Sequence, residues 1–235
     1  MSETRDNKRA ALENKVMSRF DTDTVQLGFM CNSNECSGCN ACVVACKDIH
    51  NLAPGKKYRK VLSGESGSWE ENGSLSVPLQ VFSYSISLSC NHCSEPVCAS
   101  VCPRHAITKS PKTGIVSIEE ELCVGCGACI KACPYDAPVR FRSLKKTYKC
   151  DMCLERLAEG KEPACVAACT MRCLEVGDMQ TLEKTYGSLR DDPLLPDSTK
   201  TSPNFILVPH RFLDQKESST IRLANMPEEI INTNE

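Results

Sequence analysis

Apolar and polar residues alternate along residues 81–88, the period of a strand with one buried face. Residues 106–109 and 114–118 predict two more short strands, with a turn carrying Pro111 and Gly114 between them. Near the start, Ala11, Leu12, Val16 and Phe20 recur at near-helical spacing, which predicts a helix over residues 8–19. It would lie in a polar leader, residues 1–24, read as a frayed and weakly held terminus. Residues 55–78 are rich in Gly, Ser and charge and predict a long loop or a surface hairpin. Residues 191–203 read as extended and irregular.

Composition shows why such short elements need outside help. Of 235 residues, 41% are hydrophobic but only 5% aromatic, and Trp69 is the one tryptophan. Large side chains for a core are scarce, whereas cysteine stands at 18. Metal or disulfide must supply part of the cohesion. No apolar run approaches the ~18 residues of a membrane span, and residues 1–23 resemble no secretory signal and hold no twin-arginine pair. These features predict a chain made in the cytoplasm with no membrane span, where thiols stay reduced and ligate metal.

The cysteines fall into four groups. They are Cys36, Cys39, Cys42 and Cys46; Cys90, Cys93, Cys98 and Cys102; Cys123, Cys126, Cys129 and Cys133; and Cys150, Cys153, Cys165 and Cys169. Each is a triplet followed after three residues by a fourth cysteine, so one binding motif is repeated four times. The third group, followed by Pro134, matches the run C-x2-C-x2-C-x3-C-P of bacterial ferredoxins, and Pro103 follows the second group in the same way. Short helices are expected near the fourth cysteine of several groups. Zinc explains Cys-x2-Cys pairs but not repeated triplets with a fourth member, and a disulfide framework lacks its secretion signal. A missing fourth ligand would give a three-iron site, but all sixteen positions are cysteine. Four [4Fe–4S] clusters are therefore predicted.

In paired ferredoxin clusters the fourth cysteine ligates the neighbouring cluster. That rule predicts Cys90, Cys93, Cys98 and Cys133 at one site and Cys102, Cys123, Cys126 and Cys129 at its neighbour. The outer groups then pair as Cys36, Cys39, Cys42 with Cys169, and Cys150, Cys153, Cys165 with Cys46. The formal charge of −2 would become about −10 with four clusters bound, which argues against nucleic-acid partners.

Cys31 and Cys173 are left over and read as free, at least partly buried thiols. His92, between two predicted ligands, reads as a hydrogen-bonding or packing residue, while His50, His105 and His210 are assigned to the surface. Lys47, Arg104 and Lys131 flank the cluster loops, where they would either raise local potential or simply be solvated. No Ser/His/Asp grouping, open metal position or nucleotide loop is present, so no catalytic residue is assigned. A stand-alone polyferredoxin and a structural zinc module are the competing readings.

The segments around Cys36-Ser-Gly-Cys39-Asn-Ala-Cys42, Ser89-Cys90-Asn91-His92-Cys93, Cys133-Pro134-Tyr135-Asp136-Ala137-Pro138, Lys149-Cys150-Asp151-Met152-Cys153, Ala158-Glu159-Gly160-Lys161 and Leu223-Ala224-Asn225 carry a resemblance. The chain resembles the iron–sulfur B subunit of the anaerobic dimethyl sulfoxide reductase family over roughly residues 26–230. It sits within the four-cluster subunits that also serve polysulfide, tetrathionate, nitrite, dehydroxylase and formate enzymes. Two departures stand out: Thr170 follows Cys169 where proline is common, and the leader is long.

The resemblance implies an α+β fold of two ferredoxin-like two-cluster units related by a pseudo-twofold, with short β-hairpins and helices, extended loops and a C-terminal tail. Residues 25–89 with 134–180 would form the first unit, 90–133 the second, and 181–235 a tail contacting partners. It further implies an electron relay, not itself an enzyme, between an integral membrane anchor that oxidises quinol and a molybdopterin (bis-MGD) catalytic subunit that reduces dimethyl sulfoxide or related S- and N-oxides. The chain would sit peripherally on the membrane, on the extracytoplasmic face after export with its catalytic partner, or alternatively on the cytoplasmic face.

Overall fold

The structure is a computed structural model and describes residues 5–213 and 221–224. Thus Asn225, the last residue of the resemblance, and much of the expected tail lie outside the described residues.

The leader is not a loose terminus. Helix α1 (Arg5–Met17) packs on the body through Val16, which is buried. Buried Glu13 accepts from Arg9 Nε at 3.0 Å and from Ser110 Oγ at 2.9 Å, while Arg9 Nη1 reaches Glu119 at 3.1 Å. Isolated helices of this length are marginal in water, so these tertiary contacts supply what local propensity lacks.

Strand β1 (Leu27–Asn32) is buried along most of its length, with Phe29, Met30 and Cys31 nearly inaccessible. Helix α2 (Ala41–Ile49) follows it, then β2 (Lys60–Asn72) and β3 (Leu75–Leu88), which form one long antiparallel hairpin with a register shift between Ser66 and Ser68. The 55–78 segment thus resolves as hairpin, not open loop. Leu88, Ile86 and Tyr84 at its base are buried, while Trp69, Leu75 and Val81 near its tip are exposed.

Helix α3 (Val97–Ser100) precedes strands β4 (Ile107–Lys109) and β5 (Val116–Ile118), an antiparallel pair as the pattern predicts. Helix α4 (Ala128–Ala132) and the pair β6 (Val139–Phe141) and β7 (Lys146–Tyr148) come next. Helices α5 (Leu154–Ala158) and α6 (Ala164–Ala167) then lead to β8 (Leu174–Asp178) and α7 (Met179–Tyr186). Asp178 caps α7 by accepting from the Thr181 amide at 3.1 Å.

Residues 181–235 are not simply a tail. Residues 191–203 are irregular apart from one 3-10 turn, Ser198–Lys200, but β9 (Phe205–Val208) joins the sheet as a parallel neighbour of β1. The sheet order is β8-β1-β9, with β1 central, and Ile206 and Leu207 are fully buried. The run Phe-Ile-Leu-Val is continuously apolar because a strand covered on both faces needs no polar alternation. Finally β10 (Arg222–Leu223) edges β2. Among the described residues no helix is long and apolar enough to cross a membrane.

Candidate metal centres

All four cysteine groups share one backbone design. The residue just before the second cysteine has positive φ in each: Gly38 at 71°, His92 at 44°, Gly125 at 62° and Met152 at 62°. A left-handed residue there turns the chain sharply, so the cysteines on either side face inward. The third cysteine is in every case the second residue of a short helix: Cys42 in α2, Cys98 in α3, Cys129 in α4 and Cys165 in α6. The fourth cysteine lies four residues on, one helical turn away. The helices therefore begin at the third cysteine rather than near the fourth, where the sequence placed them.

The thiols gather in four neighbourhoods. Cys98 faces Cys90, Cys133 and Cys93, and Cys129 faces Cys123, Cys126 and Cys102. Cys46 faces Cys165 and Cys153, and Cys150 faces Cys46 and Cys165. In the last, Cys36 neighbours both Cys39 and Cys42. Cys169 enters it beside Cys173, whose sulfur also contacts Cys36. Each neighbourhood draws thiols from two groups.

Burial pushes the Cys46 and Cys98 thiols up to about 12, and Cys93 and Cys153 to about 11. Bare thiolates are unfavourable in such a setting, and a cationic cluster core is what stabilises them. Backbone amides already point at sulfur: Ala106 N lies 3.3 Å from Cys102 Sγ, and Met152 N 3.3 Å from Cys150 Sγ. Inward-wrapped loops, soft thiol donors and amides aimed at sulfur fit iron–sulfur ligation.

Cys31 and Cys173 are buried, as expected of leftover thiols, but they are not remote. Cys173 Sγ lies 3.4 Å from Cys169 Sγ, and hydrogen bonds from Cys173 and Cys31 draw the Cys36 thiol well below its ordinary value. Thr170, standing where proline is common, places its Oγ1 3.6 Å from Cys39 Sγ.

His92 is fully buried and its Nδ1 accepts from the Val116 amide at 3.0 Å, a hydrogen-bonding role in the second loop. Burial lowers its pKa, so the ring is neutral. His105 is exposed, as the sequence placed it. His50 and His210 are not simply on the surface: His50 Nε2 lies 3.8 Å from Cys153 Sγ and 3.6 Å from Asp151, and His210 stacks on Phe82.

The flanking cations also sort differently from the sequence order. Arg104 and Lys131 are exposed, and Lys47 Nζ is occupied by the carbonyls of Ala53 and Lys56. The buried cations among the thiols are Lys149, which reaches Cys90 Sγ, and Arg59, which faces several thiols and bonds to Ser87 and Ser89. Lys149 stands next to the predicted ligand Cys150 and carries that signal in the sequence. Arg59 lies far from any cysteine along the polypeptide, and no local pattern marks it.

Residues 81–179 match a family described as a 4Fe-4S dicluster domain, and residues 33–49 match a 4Fe-4S binding domain. The B subunit of the anaerobic dimethyl sulfoxide reductase of Escherichia coli (strain K12) is 39% identical over 207 residues, covering 88% of this chain and all of that protein. The probable anaerobic dimethyl sulfoxide reductase subunit YnfG of the same organism shows the same identity and coverage. The B subunit of the polysulfide reductase of Wolinella succinogenes is 37% identical over 188 residues, covering 78% of this chain and 94% of that one. With its thiol neighbourhoods and full-length relatives, the protein belongs to the B-subunit family of anaerobic dimethyl sulfoxide reductases, as a non-catalytic iron–sulfur electron-transfer subunit.

Proposed function

We propose that the chain holds four [4Fe–4S] clusters in one line and relays electrons between a quinol-oxidising membrane anchor and a molybdopterin catalytic subunit that reduces dimethyl sulfoxide or a related S- or N-oxide. The ligand sets are Cys36, Cys39, Cys42 and Cys169; Cys46, Cys150, Cys153 and Cys165; Cys90, Cys93, Cys98 and Cys133; and Cys102, Cys123, Cys126 and Cys129. The first two sets form one ferredoxin-like unit and the last two another. Each cluster, when bound, takes up and releases one electron.

The observation that carries this reading is the contact of the first three thiol neighbourhoods in series, with the fourth joined to the third through helices α3 and α4, which pack together. Cys42 of the first faces Cys165 of the second, and Cys150 of the second faces Cys90 of the third. Of the sixteen cysteines only Cys39 and Cys126 are exposed, one in each terminal neighbourhood. Apolar residues are exposed close by: Val44 lies five residues from Cys39 and Met171 follows Thr170, whose hydroxyl contacts Cys39 Sγ, while Val124 and Leu122 lie near Cys126 in sequence. Such patches at both ends suit two lasting partners better than a freely diffusing polyferredoxin.

On this reading the chain sits peripherally on the membrane, at the extracytoplasmic face when exported with the catalytic subunit. Iron analysis of the complex purified from its native cells tests it: about sixteen irons per chain and two co-purifying subunits are expected. An iron content near eight, or an isolated monomer, would refute it.

A further inference from the structure

Two cations lie deep among the cysteine neighbourhoods. Arg59 is 1% exposed and Lys149 7%. Among the described residues neither forms an ion pair with a carboxylate. A buried cation without a carboxylate is costly, so the surroundings must supply negative charge in another form.

Lys149 Nζ has three partners: Cys90 Sγ at 3.3 Å, the Cys150 carbonyl at 3.1 Å, and the Val116 carbonyl. It stands at the junction of the second and third cysteine neighbourhoods, since Cys90 belongs to one and Cys150 to the other. Arg59 donates to the Ser87 carbonyl at 3.3 Å, to Ser87 Oγ at 3.0 Å and to Ser89 Oγ at 3.0 Å, and lies over the Phe29 ring at 4.7 Å. Ser87 Oγ is in turn 3.2 Å from Cys42 Sγ. The thiols facing the guanidinium are Cys165, Cys150, Cys42 and Cys46, from the first and second neighbourhoods.

We propose that Arg59 and Lys149 are the interior counter-ions of the relay and set the potentials of its first three clusters. This rests on the four-cluster reading above and adds which residues tune it. Taking up an electron makes a cluster more negative, and a fixed cation a few ångströms away, shielded from water, stabilises that reduced form. The second cluster faces both cations and is raised most. Of these two cations the first faces only Arg59 and the third only Lys149, the third having partly buried Lys109 near Cys93 and Cys90 as well. The fourth, with exposed Cys126, faces neither and serves as an internal reference. Lys149 acts on Cys90 Sγ directly and Arg59 acts by its charge and through Ser87, so both are positioning residues, not catalytic ones.

The test is a redox titration of the full chain in its native complex, each cluster followed by its paramagnetic resonance signal, with iron counted in the same samples. Lys149→Met is expected to shift the second and third clusters to more negative potential, and Arg59→Met the first and second. The double variant is expected to shift the second cluster by about the sum of the two. Lys149→Arg and Arg59→Lys, which keep the charge, should restore most of each shift. Unmoved potentials at full iron content overturn the proposal while leaving the four-cluster reading intact. Wild-type protein with fewer than about sixteen irons per chain overturns that reading instead. Should Lys149→Met lose iron, Lys149→Gln keeps a donor toward Cys90 and takes its place. If both neutral variants lose iron while Lys149→Arg keeps it, the lysine is a structural counter-ion and the proposal fails.

Discussion

The sulfurs of Cys169 and Cys173 lie 3.4 Å apart, on either side of a left-handed turn at Arg172. Only the first is a proposed ligand. Cys173→Ala should therefore leave iron content unchanged, at a packing cost of about 1 kcal/mol for the small void it opens. Cys169→Ala should lower iron by about four per chain. Equal losses from the two variants would reverse the assignment.

Gly125 and Gly127 flank Cys126, and both have positive φ. A Cβ at Gly125 would meet the Lys145 carbonyl oxygen at 2.4 Å, whereas one at Gly127 meets nothing within 4 Å. Gly127→Ala should cost about 1 kcal/mol of backbone strain and keep its iron. Gly125→Ala must displace backbone beside β7 and should lose the cluster at Cys126. Iron counts on the two variants separate these outcomes.

Glu13 ties α1 to the body through Arg9 and Ser110. Glu13→Ala leaves a buried hydroxyl and one guanidinium nitrogen short of an acceptor, at a cost of roughly 1–3 kcal/mol. The expected result is faster proteolysis near residues 5–17 with no change in the cluster spectrum. Unchanged proteolysis would show that the other α1 contacts suffice.

Asp192 accepts from Tyr84 Oη at 2.9 Å and from the Leu194 amide at 2.8 Å, and burial raises its carboxyl above the ordinary value of 3.8. The folded chain thus holds this proton at a pH where the unfolded chain has released it. Stability declines as pH rises through that interval, and the full deficit remains at neutral pH. Asp192→Asn keeps the acceptor oxygen and removes the charge. It should slow denaturant-driven bleaching of the clusters at pH 7, by a margin that shrinks at pH 5.

The two exposed ends of the thiol line should respond separately to charge. Val124→Asp places a carboxylate near Cys126, and Val44→Asp places one near Cys39. Each is expected to weaken retention of one partner subunit in pull-down and leave the other bound. Loss of both partners from either variant would point to a single shared interface.

Much of the site is legible in the sequence because thiols at fixed spacing have few other uses. The short strands around Pro111 and Gly114 are readable for a similar reason, since turn residues and β-branched runs act locally. What escapes is non-local. Phe205-Ile-Leu-Val shows its apolarity, but nothing in it says that its neighbour is Phe29 to Asn32. Lys47, Arg104 and Lys131 lie beside cysteines in the sequence, yet proximity along the polypeptide is not proximity to sulfur. Arg59 becomes visible only when the hairpin brings Ser87 and Ser89 across from it.

The sheet order β8-β1-β9 also bears on how the protein is made. Strand β1 lies early in the sequence, but both strands that flank it lie late. On a ribosome it would wait, apolar and unpaired, until most of the polypeptide had emerged. The cysteine neighbourhood of Cys36 and Cys169 has the same constraint, because its members come from the two ends of that interval. On the proposed ligand set, iron delivery to this site is a late event, and a truncated nascent polypeptide would offer the delivery machinery only half a receptacle.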